Sequence, residues 1–148
     1  KLYFLLYAGD LDLEGKIDKA DTPLDKDDSF RLEFSSGDDV RVVAVSVLGR
    51  VYDAICRGPV SARKCDSKWQ SHAQVAIDRD GTLNRIHDND EEWVVEMALP
   101  LHDLGIVSPG PGTRIRFAVS RCEVGYDGVH ACGGWGKGER TGDLALDP

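Results

Sequence analysis

The sequence has no long hydrophobic run, few aromatic residues, one methionine and no surplus of positive charge. Its longest apolar stretch, Leu2 to Ala8, is far shorter than the ~20 residues that a spanning helix needs, so no membrane span is expected. Lys and Arg number 18 against 26 Asp and Glu, a net charge of -8. That balance lacks the basic footprint of a nucleic-acid binder and disfavours docking on anionic lipid. There is no Cys-x-x-Cys, and His72, His87, His102 and His130 show no ligand spacing, which argues against a zinc site. Gly-x-Ser-x-Gly, His-Glu-x-x-His, a phosphate loop and a dinucleotide-binding glycine fingerprint are all missing. The carboxylate pair Glu91/Glu92 falls in a polar turn, where neither acid is held protonated as glycosidase chemistry requires. The chain therefore reads as non-catalytic.

What is present points to one secreted domain. The 148 residues suit a single domain with a sizeable core, and 30% charged with 41% hydrophobic residues is a globular composition. The four cysteines, Cys56, Cys65, Cys122 and Cys132, fall into two close pairs. An even count with local pairing suggests two disulfides and an extracellular, periplasmic or cell-surface location. Of the three possible connectivities, Cys56–Cys65 with Cys122–Cys132 is favoured because both intervening loops look like hairpins.

Hydropathy alternates with period two along most of the chain. Leu2–Tyr7 is apolar at every position and is read as a central strand buried on both faces. A long acidic connection runs from Gly9 to Asp28. Ser29–Phe34, Arg41–Val47, Val51–Ile55, Trp93–Leu99 and Thr113–Arg121 read as strands. Ala73–Ile77 and Thr82–Ile86 flank Asp-Arg-Asp-Gly and read as a hairpin. Val129–Cys132 pairs back on its predecessor. Gly133–Gly142 is a glycine-rich loop carrying Trp135, and Asp143–Leu146 closes the chain. Many short strands, frequent turns and no convincing amphipathic helix predict an all-β fold: an antiparallel β-sandwich of jelly-roll or immunoglobulin-like type, with little or no helix.

The order of these segments resembles a known group. "LYFLLYAGD" is followed by "DKDDSFRLEF", "RVVAVSV", "EEWVVEMALPLHDLG", "RIRFAVSR" and "GGWGKGERTGDLAL". This looks like the family-9 carbohydrate-binding-module-like domains, a β-sandwich group related to the DOMON domains, and "WVVEMALPLHDLG" is the most specific part. The resemblance covers essentially the whole of 1–148 as one domain. It also implies that a strand or two usually found before the "LYF" strand is missing here. It implies a polysaccharide or oligosaccharide ligand held by tryptophan faces and polar side chains, structural calcium, and attachment to other domains of a larger secreted protein.

Carried over residue by residue, Trp135 matches a stacking tryptophan. A second aromatic is expected where Leu24 stands, and polar sugar contacts are expected near Arg31, Val43 and Val45. These departures weaken the sugar-binding implication and leave the fold implication intact. Trp69 is a substitute platform or a loop anchor, with the anchor preferred. Arg121 and Glu139 are candidate ligand contacts, with a salt bridge at the sheet edge as the plainer reading of Arg121. Asp25, Asp27 and Asp28 are candidate calcium ligands, because such a loop can offer the oxygens a calcium ion takes; a solvated acidic surface is the plain alternative. Trp93 and Met97 fit core packing.

Three functions follow. The first is a non-catalytic carbohydrate-binding domain of a secreted or cell-surface protein. The second is a structural or protein-interaction sandwich that has lost sugar binding. The third is a haem-b electron-transfer domain using Met97 and His130.

Overall fold

The computed structural model describes residues 1–85, 88–135 and 142–146. It is a two-layer antiparallel β-sandwich. The strands are β1 (Leu2–Gly9), β2 (Ser29–Ser36), β3 (Asp39–Ser46), β4 (Val51–Arg57), β5 (Lys64–Asp66), β6 (Gln74–Asp80), β7 (Glu92–Leu99), β8 (Arg114–Val124), β9 (His130–Trp135) and β10 (Gly142–Ala145). One sheet has the order β1-β7-β6. The other runs β10-β8-β2-β3-β4-β5, with β9 also paired to β8. The free edge of the long strand β8 is shared: β10 takes Arg114–Phe117 and β9 takes Val119–Val124.

The main core lies between the sheets. Phe30, Leu32 and Phe34 of β2 and Val43 and Val45 of β3 meet Trp93, Val95, Met97 and Leu99 of β7. The period-two spacing of these residues puts each set on one face of its strand. Trp93 is fully buried, its ring centroid 4.8 Å from that of Phe30. A second, smaller core covers the opposite face of the larger sheet, where Val40, Val42, Ala44, Tyr52, Ala54 and Cys56 pack under Leu24 and Ile17. It is β3, therefore, that is buried on both faces.

The first strand departs from expectation. It is the edge of the three-stranded sheet, and only alternate residues, Leu2, Phe4, Leu6 and Ala8, turn toward the core. Tyr3, Leu5 and Tyr7 are 73%, 70% and 61% exposed. An alternation in which both faces are apolar looks the same in sequence as a doubly buried strand. The expected hairpin over Ala73–Ile77 and Thr82–Ile86 is also replaced as far as Arg85, Ile86 lying outside the described residues. β6 runs on through Asp80 and pairs with β7, Gln74 opposite Ala98 and Asp80 opposite Glu92.

The long connection of residues 10–28 is a strap. Leu13 enters the main core, while Ile17 and Leu24 reach the second one. Gly15 is required where the strap crosses the turn after β3, since a Cβ there would lie 2.8 Å from Leu48 Cγ and 2.9 Å from Val47 Cγ1. Two disulfides join strand neighbours in register, Cys56–Cys65 across β4 and β5 and Cys122–Cys132 across β8 and β9. This is the favoured connectivity. Among the described residues, no helix is long and apolar enough to cross a membrane.

Candidate functional site

Trp135 ends β9 rather than lying in a loop, opposite Val119 of β8. Its indole is held from below. The ring centroid is 6.1 Å from that of Phe117, and Phe117 in turn stacks on Phe4 at 5.5 Å. The indole also lies over Gly142 of β10, closely enough that any Cβ there would collide with it. Gly142 is therefore part of the seat. The preceding Gly133 and Gly134 add no side chains beside the ring, and Trp135 remains 56% exposed. The result is an immobilised aromatic face at the rim of the sandwich, the kind of surface that stacks against an apolar C–H patch.

Among the described residues, the other candidate contacts do not converge on it. Arg121, two residues along β8, joins the sheets: Nη2 donates to Asp10 Oδ2 at 2.6 Å and Nη1 to the Gly9 carbonyl at 3.2 Å. Glu123 stands 3.5 Å away. The Arg121 guanidinium thus pins the end of β1 to β8. Trp69 follows β5, at the opposite edge of the larger sheet, and packs partly buried against the main core. It serves as a loop anchor there, and the two tryptophans do not form a clamp. Glu139 lies outside the described residues. Met97 is sealed in the core and His130 is exposed on the other sheet, so no pair of axial haem ligands is presented.

The aspartates of the strap turn their oxygens to backbone. Asp27 Oδ1 and Oδ2 accept the N–H groups of Lys16 and Ile17 at 3.0 and 2.9 Å. Asp28 Oδ2 and Oδ1 accept those of Glu14 and Val124 at 2.6 and 2.8 Å. Asp90, which the sequence did not single out, does the same for Leu13 and Thr82. Asp25 is exposed. Among the described residues, the group of His, Cys, Asp or Glu whose ligand atoms gather within 4.8 Å is Cys122, His130 and Cys132, and both of its sulfurs are in a disulfide. As arranged, Asp25, Asp27 and Asp28 do not gather as a set of calcium ligands. Asp27 and Asp28 are strap fasteners, a role visible only once the backbone they meet is in place.

Asp28 is the most perturbed of these acids. Burial pushes its carboxyl up to about 7, against the pull of the Glu14 and Val124 N–H groups, with Asp10 adding to the rise and Arg121 opposing it. It is fully buried, so this carboxyl meets no substrate.

No protein-family model matches the chain, and no curated protein matches it in sequence. Among solved structures, it is similar to a putative carbohydrate-binding protein from Bacteroides uniformis, with a TM-score of 0.63 at 13% identity over 97% of this chain and 71% of that one. At that identity the likeness is one of fold, and this chain shares the architecture of that protein.

Proposed function

We propose that this chain is a non-catalytic carbohydrate-binding domain of a secreted or cell-surface protein. The observation that carries the reading is Trp135, seated on Phe117 and Gly142 with more than half of its surface open. A pyranose presents C–H groups to such a face, and this contact does not need a deep pocket. The fold likeness to a protein described as carbohydrate-binding supports the reading. The two disulfides support an oxidising compartment.

The test is calorimetric titration with mono- and oligosaccharides, with Trp135→Ala alongside. Binding that falls about tenfold or more in the variant is the expected result, since a well-placed aromatic contact is worth ~1 kcal/mol beyond its buried area. Equal binding by both proteins sinks the Trp135 site, and no binding to any sugar sinks the function.

The second reading, a structural or interaction sandwich, is favoured by one observation: Arg121 and Trp69 are committed to internal contacts. Silence across the sugar panel with an intact fold is its expected signature.

A further inference from the structure

The outer face of the three-stranded sheet is built unlike a plain solvated surface. The register places Tyr3 opposite Ala98, Leu5 opposite Glu96 and Tyr7 opposite Val94. On the far side of β7, Gln74, Ala76 and Asp78 stand opposite Ala98, Glu96 and Val94. Each cross-strand row thus carries a large apolar or aromatic side chain at β1 and small or polar ones along β7 and β6. Two shallow depressions of ≈ 230 and ≈ 290 Å³ lie along β6 and β7, both lined by Ala76 and Glu96. A wall of two tyrosines and a leucine therefore borders a trough with small side chains on its floor and carboxylates within it.

Its chemistry selects among occupants. Asp78, Asp80, Glu92 and Glu96 all belong to this face. At one end Lys1 Nζ donates to Gln74 Oε1 at 2.6 Å, reaching across the sheet. The carboxylates repel an anionic polymer, and they repel the same face of a second copy. A neutral polyol suits them, because its hydroxyls donate to carboxylates. Tyr3 and Tyr7 are four residues apart on one strand, about 13 Å, which is longer than one sugar ring.

We propose that this face is a second glycan-binding surface, on which a neutral, linear oligosaccharide lies with ring faces against Tyr3 and Tyr7 and hydroxyls on Glu96, Asp78 and Gln74. This rests on the carbohydrate-binding reading above but uses none of the Trp135 contacts. The neighbouring Glu92 carboxylate pushes the Tyr7 phenol up, so its hydroxyl keeps its proton at neutral pH.

The test is affinity electrophoresis of the whole chain in gels containing a β-glucan, a xylan or a mannan, with polygalacturonate as the anionic control. Wild type, Tyr3→Ala/Tyr7→Ala and Trp135→Ala are run side by side. Thermal melts confirm that the double variant is folded, as expected for two side chains more than 60% exposed. The expected result is retardation by a neutral polymer, weakened about tenfold or more in the double variant and still measurable in Trp135→Ala, with no retardation by polygalacturonate.

Wild-type retardation by the double variant overturns the second surface, and leaves the first reading standing if Trp135→Ala has lost binding. Preference for polygalacturonate overturns the neutral-glycan assignment. Failure of wild type on every polymer overturns both readings. A wild-type dimer in sedimentation that the double variant lacks overturns the inference in favour of an interface between copies.

Discussion

Replacing Asp28 by Asn should change how stability depends on pH. In the folded chain burial pushes this carboxyl up to about 7, while its ordinary value is 3.8. A folded value above the unfolded one means that the native state holds the proton more tightly. The contribution to stability is therefore fully present below the unfolded value and is lost as pH rises through about 7. A gap of about three pH units at 1.36 kcal/mol each corresponds to up to about 4 kcal/mol. For a domain of this size that is a difference of ~8–16 °C in midpoint temperature. Asn has no proton to lose, and its carbonyl can still accept one of the two N–H groups. Thermal and urea unfolding of both proteins between pH 4 and 8 should show wild type losing stability relative to Asp28→Asn as pH rises. Parallel profiles would refute the burial argument. A relative gain by wild type would mean that the Glu14 and Val124 N–H groups, with Arg121, outweigh burial.

Asp27→Ala leaves the Lys16 and Ile17 N–H groups without their acceptor and should destabilise by about 3 kcal/mol in urea unfolding. Asp25→Ala, at an exposed position, should stay within about 0.5 kcal/mol; similar losses for the two would contradict the strap geometry. Calcium or chelator should leave the unfolding midpoint where it is, and a rise with calcium would show that the aspartates rearrange to bind it. Removing either disulfide, which closes a loop of 9 or 10 residues, should cost about 2.6 kcal/mol by loop-closure entropy, measured by denaturation of the double Cys→Ala variants. Trp93→Ala, at a fully buried core position, should cost ~3–5 kcal/mol.

The strands whose polar and apolar faces differ were legible in the sequence. Phe30, Leu32 and Phe34 against Arg31 and Glu33 mark β2, and Trp93, Val95 and Met97 mark β7, because burial of one face writes itself into alternate positions. β1 carries no such contrast: tyrosine and leucine stand outside, phenylalanine and leucine inside, and composition alone does not say which face is open. The partner of β6 was hidden for another reason. A turn signal at Asp80-Gly81 reports local backbone preference, whereas pairing with β7 is decided by which strand offers a matching face. The disulfides were legible because each closes between strand neighbours a short way apart in the chain. The acids of the strap were visible as a cluster, but not as acceptors, since an acceptor is defined by the N–H that reaches it. Trp135 was found as a residue; its seat on Phe117 and Gly142 depends on β8, β9 and β10 meeting.

The division of the β8 edge between two short strands gives the sandwich a defined response to tension. A pull that lifts the chain off the sheet edge beyond Leu146 first breaks the Leu146 bonds with Gly112 and Thr113; the four pairs of β10, Ala145 with Arg114 through Gly142 with Phe117, then open one after another instead of resisting together. The load then reaches β9 at Trp135 and lifts the indole from its seat. Peeling advances through Gly134 and Gly133 and stops at Cys132, where the bond to Cys122 transfers the force into β8 and the middle of the larger sheet. Tension from that end would dismantle the Trp135 platform while the rest of the fold still holds.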